Sequence, residues 1–182
     1  MGRHSTNGDD PELLLDVIGL YSKQRRYEEA GELFLQVADI YLNDTDPAND
    51  DQLKGLYSEA GVNFQTASIY PKALDAYSRA SEQDVNDTQI MSFRVQMHLQ
   101  YGQQLLLEAG QAFTTDPDGS AQLETEGKAT LQRGVEVGNA LVAMAPNDAY
   151  AFLYLAQIQA LLGDVTASAQ NMQTYEELTG TQ

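Results

Sequence analysis

Tyr57-Ser58-Glu59-Ala60-Gly61-Val62-Asn63-Phe64, followed nine residues later by Ala73 and then by Tyr77, is the stretch that decides the fold. Its large and small side chains fall at steps of three and four, which puts them on one face of a helix, and the longer step before Ala73 marks a turn into a second helix. The same spacing occurs earlier, as Leu14, Val17, Ile18 and Tyr21 followed by Ala30 and Phe34. It occurs again later, as Phe152, Leu155, Ala156 and Gln159 followed by Ser168 and Met172. Gly61 and Ala156 on the first helices, and Ala30 and Ala73 on the second, lack bulk where two helices must meet. Tyr21, Phe34, Phe64, Tyr77 and Phe152 supply the volume that fills the remaining space.

Between the paired helices, Arg25-Arg26, Ala67-Ser68 and Gly163-Asp164 interrupt the apolar period and read as turns. Pro71 falls just inside the second helix of its pair, where a missing N–H is tolerated. A third unit opens normally with Met91, Val95 and His98, but Pro146-Asn147-Asp148, which reads as a repeat end, arrives 27 residues late. Gln89 to Phe113 and Ala121 to Ala145 are helix-compatible, and Thr114-Thr115-Asp116-Pro117-Asp118-Gly119-Ser120 between them is turn chemistry. The expectation is one long helical hairpin with arms of 25 residues; the competing reading is a short extra repeat within 103–130.

This grid resembles the tetratricopeptide repeat, a helix-turn-helix unit of about 34 residues. Tyr57 to Met91 is a step of 34, and Tyr27-x-Glu29-Ala30 and Tyr70-x-Lys72-Ala73 look like that family's opening of the second helix. Leu14 stands where an aromatic is usual, and Leu42 and Val85 replace the closing proline. The resemblance implies an all-α, right-handed solenoid of antiparallel helix pairs. It divides the chain into a flexible polar tail over 1–10 and a single repeat domain over 11–182, with units at about 11–44, 54–87, 88–148 and 149–182.

Length and charge narrow the function. A chain of 182 residues with 42% hydrophobic content can build one sizeable core or one short solenoid. Its 27 acids against 10 bases leave a formal charge of −17, which repels phosphate backbones and anionic lipid surfaces, so nucleic acid and membrane insertion are poor expectations. Such an excess suits a saline cytoplasm, where self-repulsion is screened. The absence of cysteine excludes disulfides, thiolate metal sites and a cysteine nucleophile. With no apolar signal region at the N-terminus, the expectation is a cytoplasmic protein; a secretory signal already removed is compatible with it.

Chemistry-bearing motifs are scarce. Asp44, Asp46 and Asp50 offer oxygen ligands in the loop 43–51, but a calcium loop counted from Asp44 needs Gly and Glu where Asn49 and Gly55 stand, so no metal and no cofactor is expected. The Asn-Asp-Thr triplets at Asn43 and Asn86 read as turns and helix caps. His98 occupies an inward position between Arg94 and Gly102, which favours a core residue over a ligand or base. No phosphate-binding loop, zinc motif or nucleophile elbow is present, and no catalytic residue is assigned.

Repeat solenoids act through the groove lined by their first helices. The positions that the packing grid leaves free there are Asp16, Ser22 and Lys23, then Ser58, Glu59 and Gln65, then Ser92, Gln96 and Gln100, then Leu153, Tyr154 and Gln157. The clamp of Lys, Arg and Asn with which some cochaperones of the family hold a C-terminal carboxylate is absent, and Asp16 and Glu59 would repel one. The function expected is a non-catalytic interaction scaffold that binds a neutral or basic protein segment, with a second partner allowed on the hairpin. Two alternatives stay open: a chaperone for an unfolded or basic client, and a scaffold that self-assembles into a homo-oligomer.

Overall fold

A computed structural model describes residues 10–43 and 50–181, apart from the side chains of residues 50 and 51. Its elements are α1 (Pro11–Lys23), α2 (Tyr27–Leu42), α3 (Asp50–Thr66), α4 (Tyr70–Gln83), α5 (Thr88–Ala112), α6 (Pro117–Met144), α7 (Ala149–Leu162) and α8 (Val165–Thr179). No strand occurs among the described residues. Helices α1 to α4 form one compact unit and α5 to α8 a second.

In the first unit each helix packs on its sequence neighbour, α1 on α2, α2 on α3 and α3 on α4. The small grid positions sit at the seams: Ala30, Ala60 and Ala73 are completely buried, as are the large Phe64 and Tyr77. A Cβ on Gly31 would come within 2.9 Å of the Phe64 ring, so the α2 backbone lies almost on that ring. Tyr21 and Phe34 are only half-buried; the Arg26 guanidinium lies 4.2 Å from the Tyr21 ring centroid and covers part of it. Across α2 and α4, Lys72 reaches both Glu28 and Glu32.

Three helix pairs close with one turn geometry. The amides of Arg26, Ile69 and Asp164 donate to the carbonyls of Tyr21, Phe64 and Gln159, at 2.9, 2.8 and 2.9 Å. In each, the residue four beyond the accepting carbonyl is left-handed: Arg25 at φ 58°, Ser68 at φ 61° and Gly163 at φ 83°. This is the Schellman closure of a helix C-terminus, built on the last residue of the grid's first helix in every case. Two of the three left-handed positions lack the glycine that usually occupies them.

In the second unit α5 and α6 form a long hairpin, against whose base α7 packs on both arms and α8 packs on α7. The insertion is therefore one elongated pair and not a short extra repeat. Its arms span 25 and 28 residues, because α6 starts earlier than the turn chemistry implies. Pro117 to Ser120 are the first turn of α6 and not loop: Asp116 caps the helix by accepting from the Gly119 amide at 3.0 Å, and Pro117 is preset for the first helical position. Gly119 belongs to that cap, since a Cβ there would run into the Asp116 carboxylate. The Ser120 hydroxyl then donates across to the Ala109 carbonyl at 2.8 Å, pinning the two arms at the tip.

Glycines let the arms approach. A Cβ at Gly102 would lie 2.5 Å from Leu131, one at Gly134 would lie 2.9 Å from His98 and Ile158, and one at Gly138 would lie 2.6 Å from Leu155. Mid-helix glycine costs roughly 1 kcal/mol relative to alanine, and here the close seating of buried Leu131, Ile158 and Leu155 offsets it. Met91, Val95, Leu99, Leu131, Leu141, Ala151 and Ile158 make the core of this unit.

Two loop readings need correction. Helix α3 begins at Asp50, so Asp50 and Asp51 are helical and not part of the connection; Asp44 and Asp46 of the calcium reading lie outside the described residues. Of the two triplets, Asp87 caps α5 by accepting from the Gln89 and Ile90 amides, and Asn43 caps the end of α2, its side-chain amide donating to the Asp39 carbonyl at 2.7 Å.

Candidate functional site

The sequence-derived groove positions are helical surface in both units. In the first, Asp16, Lys23 and Glu59 are exposed. Gln65 is half-buried and its carbonyl accepts from the buried Tyr77 hydroxyl at 3.0 Å, so it also orients a core ring. In the second, Gln96, Gln100 and Tyr154 are half-buried and Gln157 is exposed.

Where α5 and α7 begin side by side, Thr88, Gln89 and Ser92 face Asp148, Tyr150 and Tyr154 across a cleft of about 350 Å³. Ser92 and Tyr154, both derived from the grid, are thus brought together; Gln96, Gln100 and Gln157 do not line this cleft. Thr88, Gln89, Asp148 and Tyr150 escaped the sequence reading because they precede the first full grid position of each helix. The signal for them was the N-cap pattern Asn-Asp before each helix.

Caps position this cleft. Asp148 accepts from the amides of Tyr150 and Ala151 at 3.0 and 3.3 Å, and Asp87 does the same for α5, so the helix N-termini that open on the cleft already carry carboxylates. An anionic guest would meet them unfavourably. Tyr150 stands 61% exposed with its ring 6.5 Å from that of Tyr175 on α8. Burial raises the Tyr154 pKa above its ordinary value, with smaller contributions from Asp148 and Tyr150, so its hydroxyl stays a neutral donor. The cleft therefore offers two aromatic faces, three small polar side chains and one carboxylate, with no cation in its lining.

His98 is buried at 8% exposure against Gly134, with its Nδ1 lacking a hydrogen-bond partner. It packs in the core as expected. Among the described residues no group of three or more His, Asp or Glu side chains is placed to hold a metal ion, and no helix is long and apolar enough to cross a membrane.

The three repeated turns, the small-for-large seams and the paired helices define a tetratricopeptide-like, all-α helical repeat fold. No protein-family model and no curated protein matches the chain. Among solved structures, the chain is similar to residues 41 to the end of MamA from Desulfovibrio magneticus RS-1, with 16% identity over 94% of this chain and 96% of that one, at a TM-score of 0.41. The ArsTM double mutant of MamA RS-1 gives 16% identity over 94% and 95%, at 0.41. YrrB, described as a TPR protein with an unusual peptide-binding site, gives 14% identity over 96% and 89%, at 0.36.

Proposed function

We propose that the protein is a non-catalytic scaffold that holds a neutral or basic segment of another protein on the surface of its first helices, with the Tyr150–Tyr154 cleft as the principal anchor. The observation that carries this reading is the lining of that cleft: two tyrosines with accessible faces beside Asp148, and no cation. Aromatic side chains are the residues that most often dominate binding energy, and a lone carboxylate beside them favours a lysine, an arginine or an uncharged donor in the guest. The polar and acidic positions Asp16, Glu59, Gln65, Gln96, Gln100 and Gln157 extend the surface, with Lys23 the one base among them.

A peptide library displayed with and without lysine and arginine tests the reading. Retention of basic or neutral sequences, weakened about thirtyfold by Tyr154→Ala, is expected for an anchor worth about 2 kcal/mol. Selection of acidic sequences, or indifference to Tyr154→Ala together with Tyr150→Ala, would overturn it.

A further inference from the structure

The hairpin carries a second concavity, remote in sequence from the tyrosine cleft. Leu106, Ala109, Gly110 and Phe113 of α5, Ser120, Glu124 and Lys128 of α6 and Leu161 at the end of α7 enclose about 550 Å³. Its walls are more apolar than this roll suggests. The Ser120 hydroxyl is committed to the Ala109 carbonyl, and Lys128 pairs with Glu124 at 2.5 Å on the rim. Phe113 is 67% exposed and Leu161 38%, both beside a void that no side chain of the chain fills.

Gly110 forms a notch in the middle of this wall. It is exposed and mid-helix, and a Cβ there would meet nothing within 4 Å, so unlike Gly102 it makes no close seam inside the chain. From Leu106 to Phe113 the wall runs for roughly two helical turns, or about 10 Å. That is the length over which a guest helix places apolar side chains at i, i+3, i+4 and i+7.

Charge selects the guest. The stretch 103–130 holds five carboxylates, Glu108, Asp116, Asp118, Glu124 and Glu126, against the single cation Lys128. A second copy of this chain would bring the same acids against them and is disfavoured, whereas a partner with cations flanking an apolar stripe gains on both counts. We infer that the hairpin cleft is a docking site for a basic amphipathic helix of another protein, its apolar stripe entering between Leu106, Phe113 and Leu161 and its cations meeting the surrounding carboxylates.

The probe is a synthetic leucine–lysine peptide with its leucines on one helical face, compared by calorimetry with an isomer of the same composition whose leucines are scattered. The amphipathic isomer is expected to bind at least about tenfold more tightly. Gly110→Leu, which fills the notch, and Phe113→Ala, which removes an exposed wall, should each weaken it about tenfold, while Tyr154→Ala leaves it unchanged. If Gly110→Leu lowers the melting temperature, Phe113→Ala alone decides, because so exposed a side chain contributes little to folding. Equal binding of the two isomers, retention of affinity in Phe113→Ala, or loss in Tyr154→Ala would overturn the inference. So would a dimer in sedimentation that Phe113→Ala dissociates, since the occupant would then be a second copy.

Discussion

Gly61 of α3 lies flat against the ring of Tyr77 of α4, so close that a Cβ at 61 would stand 2.7 Å from Cε1. Tyr77 cannot retreat: it is completely buried, and its hydroxyl is fixed on Gln65. Gly61→Ala should therefore destabilise the protein by about 1–3 kcal/mol through overpacking, despite the better helix propensity of alanine. Chemical denaturation measures this directly; a neutral or stabilising result would show that the seam has slack. Tyr77→Leu in the Gly61→Ala background should recover part of the loss, because it removes the clashing edge.

The turn geometry yields an opposite sign. Arg25 and Ser68 are exposed and left-handed, a conformation that costs a non-glycine residue on the order of 1 kcal/mol. Arg25→Gly and Ser68→Gly should each raise stability by a few tenths to about 1 kcal/mol, the first less because the guanidinium next door at 26 already covers Tyr21. Gly163→Ala should lower stability by a similar amount. Equal melting temperatures across all three would mean that the turns relax to another closure.

Much of this framework was legible in the chain itself. Steps of three, four and nine residues sufficed to place Gly61 against Tyr77 and to locate all three turns, because local periodicity and helix seams are set by neighbouring residues. The long hairpin was legible for the same reason. Its glycines were not: Gly102, Gly127, Gly134 and Gly138 read as breakers in a helical run, and only the facing side chains of α5 and α7 show what each one seats. The tip was misread because Asp-Pro-Asp-Gly is equally a turn and a capped helix start, and the choice depends on Ser120 reaching the other arm. The two clefts required tertiary structure, since each combines residues from helices far apart in sequence.

The acid excess should make stability depend on salt. Asp10, Asp87, Asp116, Asp148 and Asp164 are used as helix caps, and Glu28, Glu29, Glu32, Asp75, Asp84 and Glu124 pair with cations. The remaining surplus still leaves the formal charge at −17, which repels itself in the compact state more than in the unfolded chain. Raising salt from about 0.01 M to 1 M shortens the screening length about tenfold, and the melting temperature should rise by several degrees. Surface ion pairs weaken over the same range but contribute little each, so the net sign is set by repulsion. A melting temperature that is flat or falls with sodium chloride would show that the pairs outweigh the surplus.

His98 gives the pH dependence a separable component. Burial holds its pKa down to about 4 from 6.5, and the positive charges of Arg94 on its own helix and Arg133 on α6 push the same way. From α7 only the apolar end of Ile158 reaches the same glycine seam. Above pH 6.5 the imidazole is neutral in both folded and unfolded chains and contributes no slope. Between 6.5 and about 4 the unfolded chain binds a proton that the folded one refuses, so stability falls as pH falls, by about 3 kcal/mol in total, and below 4 this contribution is flat. His98→Leu removes it without emptying the site, so the stability difference between wild type and variant should be constant above pH 7 and shift by about that amount in the variant's favour between pH 6.5 and 4. Carboxylate protonation affects both proteins alike and cancels in the difference. A difference that stays constant from pH 7 to pH 4 would mean that the imidazole is accessible to protons in the folded state, and that the tight seam at Gly134 opens more readily than its 2.9 Å approach implies.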